Sequence, residues 1–299
     1  MKRILIVGCG DIALRVAPLL RGRYRLLGLA RNPERFPELR RAGITPLQAD
    51  LDHPPSLARI TGVAHTVLHF APPPNSGTND PRTRNLLAAL SRGTLPETIV
   101  YISTSGVYGD CGGDWVAETR PLHAQTPRAQ RRVDAEKQIR AWAKRCGVQA
   151  VILRVPGIYD AEERLPLQRL QQRTPGIMAA EDSHTNHIHA DDLARIVAAA
   201  LRHGKPNRVY HTSDDSRLKM TDYFDCVADA LNLPHVPRIS RWQAQQILPD
   251  GLLSFMNESR RLTNQRMKRE LKVLLRYPTV ADALQTLRDR SADSQLQPG

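Results

Sequence analysis

The segment Gly8-Cys9-Gly10-Asp11-Ile12-Ala13 joins an apolar run, Ile4-Leu5-Ile6-Val7, to an amphipathic stretch reaching Leu20. Glycines between a strand and a helix permit a tight turn and a close backbone approach to a pyrophosphate, whose charge the helix N-terminus favours. Gly8, Gly10, Asp11 and Ile12 are therefore candidate binding residues for a dinucleotide. The end of the second apolar run, Tyr24–Leu29, discriminates between such ligands. An acidic side chain there would hold the ribose 2′-hydroxyl of NAD, but the chain reads Ala30-Arg31-Asn32-Pro33. Arg31, beside Asn32, stands where a 2′-phosphate would sit, and its fork of charged donors suits phosphate. The expectation is NADP, with NAD the weaker alternative.

These residues need elements to hold them. Strands are expected at 4–7, 24–29, 44–48, 66–70, 98–102, 148–155 and 208–211, and helices at 12–20, 33–42, 81–90, 133–145 and 191–201. Strands alternating with helices imply parallel pairing, because a parallel crossover needs a connection of helix length. The fold class is thus α/β, a doubly wound parallel sheet (Rossmann fold) with ligands at the carboxyl ends of its strands. After Val155 the alternation loosens. Residues 1–155, completed by 186–212, form the expected dinucleotide-binding domain. Segments 156–185 and 213–290 form a smaller, mostly helical substrate lobe, and 291–299 a frayed tail.

The chain has 299 residues with 41% hydrophobic and 24% charged, which excludes extensive disorder. No apolar run is long enough to span a bilayer. The four cysteines are scattered without a CxxC pair, so neither a disulfide framework nor a metal site is expected, and a reducing cytoplasm fits. The formal net charge is +13, and 36 of the 43 basic residues are arginine. They are dispersed, with no zinc-finger pattern or aromatic platform. An arginine-rich solvated surface is expected rather than a nucleic-acid interface.

Further segments close the expected strands, namely Ala49-Asp50-Leu51, Ala71-Pro72-Pro73, Ser103-Thr104-Ser105-Gly106-Val107-Tyr108-Gly109 and Arg154-Val155-Pro156-Gly157-Ile158-Tyr159, while Ile188-His189-Ala190-Asp191-Asp192-Leu193 opens an expected helix. Together with Tyr277-Pro278-Thr279, they resemble the extended short-chain dehydrogenase/reductase superfamily, the nucleotide-sugar epimerase and dehydratase group, over nearly the whole chain. The resemblance implies that Asp50 and Leu51 flank the adenine and that Ala71, Pro72 and Pro73 line the cofactor. It places Ser103, Pro156 and Ile158 beside the nicotinamide and makes Thr104 the catalytic hydroxyl. His189 and Asp191 would brace the join between the lobes.

One motif departs from that pattern. Where the family has Tyr-x-x-x-Lys followed four residues later by Glu, this chain has Arg128, Arg132 and Glu136. A guanidinium stays protonated, so Arg128 is no general base, although it can orient an anion; Arg132 can still hold the ribose. The first glycine motif is GxGxxA rather than GxxGxxG. Both departures match the superfamily's atypical branch. Tyr108, Tyr159 and His187 are the candidate proton carriers. The expected function is an NADP-dependent oxidoreductase or epimerase/dehydratase-like enzyme acting on an anionic small molecule or sugar nucleotide. A non-catalytic NADPH-binding redox sensor is the alternative. A homodimer is in keeping with the resemblance.

Overall fold

A computed structural model describes residues 1–160 and 164–286 of the chain. In Lys2–Val7 (β1), the four residues Ile4–Val7 are fully enclosed. Ile4 and Ile6 enter one core cluster and Leu5 and Val7 another, because successive side chains of a strand point to opposite faces. A strand covered on both sides reads as a continuous apolar run, and this one does. It is followed by Asp11–Leu20 (α1), Tyr24–Ala30 (β2), Phe36–Arg41 (α2), Ile44–Gln48 (β3), Thr66–His69 (β4), Pro81–Leu90 (α3) and Thr98–Thr104 (β5). Next come Trp115–Val116 (β6), Pro127–Cys146 (α4), Gln149–Val155 (β7), Gly157–Tyr159 (β8), Leu167–Gln171 (α5), Gly176–Ile177 (β9), His187–His189 (β10), Ala190–His203 (α6) and Arg208–His211 (β11). The last elements are Met220–Ala230 (α7), Arg238–Ile239 (β12), Arg241–Ile247 (α8), Asp250–Met256 (α9), Arg261–Leu262 (β13) and Gln265–Leu271 (α10).

The seven-stranded sheet runs β11-β7-β5-β4-β1-β2-β3, parallel throughout. The order reverses between β1 and β4, where the two chains diverge and leave a crevice at their carboxyl ends. Helices α1 and α6 cover one face, and α3 and α4 the other.

Three features differ from the sequence reading, the first two for a local reason and the third through tertiary pairing. The helix expected from Val133 starts at Pro127, capped by Thr126, whose hydroxyl accepts from Ala129 N at 3.4 Å. Proline at the first helical position forfeits no intrahelical bond. The helix expected over 33–42 is a 3-10 turn at Pro33–Arg35 followed by α2, because Pro37 has no N–H to give and must sit in a first turn. Finally, β13 pairs in parallel with β6, far earlier in the chain. Met267, Leu271 and Val273 then pack into the sheet's own core beside Ile196 and Tyr210. Separate apolar clusters form around Tyr223, Phe224 and Val227 and around Ile177 and Met256. The tail at 291–299 lies outside the described residues.

Candidate functional site

The crevice starts at the glycine turn. Gly8 has φ +97°, and a Cβ there would lie 2.4 Å from Ala71 N, so the chain leaving β4 excludes any side chain. Phe70 N and Ala71 N both donate to Val7 O, at 2.7 and 2.8 Å, fixing that approach. At Gly10, the cap of α1, a Cβ would meet nothing within 4 Å, leaving open space over the helix N-terminus. Asp11 puts a carboxylate there, compensated by Arg15 Nε at 2.7 Å and by Arg164 at 3.1 Å. Arg15 also reaches Asp191 at 2.6 Å and Asp160 at 3.1 Å.

A cleft of about 510 Å³ extends from this turn. Of the residues singled out in the sequence, Gly8, Gly10, Asp11, Ile12, Arg31, Asn32, Asp50, Leu51, Ala71, Pro72, Arg132 and Ile158 line it. Arg35, Arg82 and Arg164 join them. These three were missed because no motif marks them. Arg35 donates to Cys9 O at 2.8 Å and grips Glu38 with its other nitrogens. Arg82 holds Asp52 through two bonds of 2.8 and 2.6 Å and donates to Pro72 O and Pro73 O. Its bonds hold the Asp52 carboxyl below the usual range against the opposing effect of burial, and the charges of Arg82 and Arg31 add to that. Asn32 accepts from Glu34 N at 3.2 Å, and Asp50 Oδ1 accepts from Asp52 N at 2.9 Å, so both shape their turns.

At the other end, Arg132 donates to Ile102 O at 2.8 Å and Tyr101 OH at 3.1 Å. Burial, together with the Arg132 charge, pushes His69 down to about 3. Thr104 Oγ1 accepts from Gly106 N at 3.2 Å. Ser103, its neighbour in β5, points to the opposite face, as alternation requires. It is buried and donates to Glu136 Oε1 at 2.6 Å. Glu136 in turn pairs with Arg154 through bonds of 3.0 and 2.7 Å. Pro73 is buried beneath the loop, and Pro156 stands next to the cleft-lining Ile158 without lining it. Arg128 lies 3.4 Å above the centroid of Phe255, a residue of α9, and burial lowers its pKa while Glu258 opposes the shift.

The three candidate proton carriers are enclosed and do not line the cleft. Tyr108 OH is bonded to Arg154 and His211, each at 2.6 Å, and burial pushes it up to about 12 against the effect of Arg154. Burial raises Tyr159 further. His187 stacks on Tyr223 at 4.0 Å, and burial pushes it down to about 3. The Ile188–Leu193 motif is a brace. His189 Nδ1 accepts from Asp191 N at 3.2 Å, and Asp192 accepts from Arg276 N and Tyr277 N at 2.8 Å each. Among the described residues, no helix is long and apolar enough to cross a membrane.

A profile of the NAD dependent epimerase/dehydratase family matches residues 4–212. The dTDP-glucose 4,6-dehydratase of Mycobacterium tuberculosis is 27% identical over 190 residues, covering 56% of this chain and 57% of that protein. The chain thus spans little more than half the length of this curated relative. A functionally unknown conserved protein from Silicibacter pomeroyi has a solved structure that superposes with a TM-score of 0.79 at 28% identity, over 97% of this chain and 99% of that one. DesIV, a dTDP-glucose 4,6-dehydratase from Streptomyces venezuelae solved with NAD bound, shares the fold at a TM-score of 0.77 and 20% identity, over 98% of each chain. The matched span runs from β1 through the glycine turn, Thr104 and the arginines of α4 to the end of β11, and over it the chain belongs to the NAD dependent epimerase/dehydratase family.

Proposed function

We propose that the cleft binds an NADP-type nicotinamide dinucleotide. The chain would use it in oxidoreductase or epimerase/dehydratase-type chemistry on an anionic small molecule, a sugar nucleotide being the class suggested by its relatives' names. One observation carries the choice of cofactor: Arg31 and Arg35 both line the cleft beyond β2, and no acidic side chain stands at 30–32. The open Cβ position at Gly10 and the start of α1 fit a pyrophosphate. Asp50 and Leu51 would flank the adenine, Arg31 and Arg35 would hold the 2′-phosphate, and Arg132 would hold the nicotinamide ribose. Ile102 and Ile158 would border the nicotinamide. When bound, the dinucleotide supplies a hydride donor or acceptor. Thr104 would hydrogen-bond the reacting oxygen, and Arg128 would orient an anionic group of the substrate.

Titration of wild type and Arg31→Ala with NADPH and NADH tests this. NADPH binding should weaken about tenfold in the variant, ~1.4 kcal/mol, with NADH affinity unchanged. Equal losses for both nucleotides would overturn the assignment to NADP, and no binding of either would overturn the cofactor site. The packing of Arg128 against Phe255 favours a second reading, an NADPH-binding redox sensor without turnover. It requires unequal affinities for NADPH and NADP⁺ and a partner whose binding changes between them.

A further inference from the structure

The proposed chemistry leaves a proton without a carrier, since Arg128 occupies the tyrosine position, Tyr108 OH is held by Arg154 and His211, Tyr159 OH donates to Thr279 O, and His187 is stacked on Tyr223. A carboxylate missed in the sequence stands beside the catalytic positions. Glu258 lies between α9 and β13, only 8% exposed. Its Oε2 accepts from Arg260 at 2.9 Å, while its Oε1 is buried without a hydrogen-bond partner.

The key neighbour is Gly106. A Cβ there would lie 3.6 Å from Thr104 Oγ1 and 3.8 Å from Glu258 Oε2, so the hydroxyl and the carboxylate border one small gap. The backbone at Gly106 is outside the left-handed region, so the missing side chain serves space rather than conformation. The segment carrying Glu258 is fixed. Cys111 N and Gly113 N both donate to Ser259 O at 3.0 Å, Ser259 N donates to Asp110 Oδ1 at 2.8 Å, and Arg260 donates to Gly109 O at 2.8 Å. A carboxylate held rigidly next to the family's hydroxyl position, with one oxygen unused, suits proton exchange in a way that a guanidinium does not.

Resting on the enzymatic reading above, we propose that Glu258 is the acid/base residue of this site, exchanging a proton with the substrate oxygen that Thr104 holds. In the oxidative direction the substrate hydroxyl gives its proton to the Glu258 carboxylate and the O–H electron pair forms the carbonyl. The carbon's hydride passes to the oxidised nicotinamide dinucleotide. Reduction reverses each transfer, with the Glu258 carboxyl returning the proton.

The test compares wild type, Glu258→Gln, Glu258→Ala and Gly106→Ala. Measured are NADPH affinity, melting temperature and turnover, the last followed by nicotinamide absorbance and by product analysis with dTDP-glucose and UDP-glucuronate as probes. Glu258→Gln keeps an acceptor for Arg260, so it should bind NADPH and melt as wild type does while turnover falls by at least ~100-fold. Added formate should restore part of the turnover of Glu258→Ala, which a strut for Arg260 would not do. Gly106→Ala, whose methyl meets nothing nearer than 3.6 Å, should fold, bind NADPH and lose turnover. An active wild type with an equally active Glu258→Gln sinks the role of Glu258 alone. A wild type that binds NADPH and is inert with both probes sinks the enzymatic reading and this proposal with it.

Discussion

Two glycines in one turn do different work. At Gly8 a methyl would strike the backbone of Ala71, and the positive φ disfavours any side chain. Gly8→Ala should therefore cost ~2–4 kcal/mol in urea denaturation, the range for strain combined with overpacking. At Gly10 the same methyl meets only open space, so Gly10→Ala should unfold like wild type and lose dinucleotide affinity. Equal stability losses would contradict this division of labour. Residue types alone did not separate the two, since both are simply the glycines of a GxG. The separation comes from the chain leaving β4, which crosses above one and not the other.

At the level of elements, the junction of α4, β5 and β7 depends on one buried ion pair. Glu136 of α4 takes both bonds from Arg154 of β7 and a third from Ser103 of β5. Replacing a buried pair by apolar residues is often neutral, but removing one partner leaves a charge stranded. Glu136→Ala should lower the unfolding free energy by about 3–5 kcal/mol, with Arg154 enclosed and unpaired. A loss below about 1 kcal/mol would mean that water or Tyr108 satisfies the guanidinium. The sequence placed Ser103 and Thr104 together at the nicotinamide. Strand alternation turns their side chains to opposite faces, and period-two reading of β5 sends the Ser103 hydroxyl towards Glu136 of α4. Glu136 was legible as the family's glutamate, but its partner on β7 was not.

For the whole molecule, buried histidines govern the acid limb of stability. Burial pushes His69, His187 and His211 down to about 3, so all three are neutral in the folded protein near pH 5. In the unfolded chain each takes a proton near ~6.5, so stability is full above that pH and is lost as the pH falls towards about 3. Asp214, pushed up to about 7 by burial, works the other way, holding a proton in the folded state that the unfolded chain keeps only below ~4. Across the window from ~6.5 to ~4 the unfolded state therefore gains three protons against one retained by the native state. The unfolding free energy should fall by about 3 kcal/mol per pH unit. Urea titrations at several pH values check this, and a flat profile would show that the histidines open to solvent before global unfolding.

The sequence by itself determined the sheet, the glycine turn at its switch point, the arginine beyond β2 and the arginines at 128 and 132, because each is local: apolar runs, helix caps and short motifs fix backbone conformation within a few residues. It did not determine which side chains face the cleft. Arg35, Arg82 and Arg164 reach the cleft from three separate segments. Glu258, which borders Gly106 together with Thr104 rather than lining the cleft, comes from the stretch just before β13, which pairs with β6. Side-chain neighbours brought together from distant parts of the chain depend on packing and strand register. Only the tertiary structure decides those.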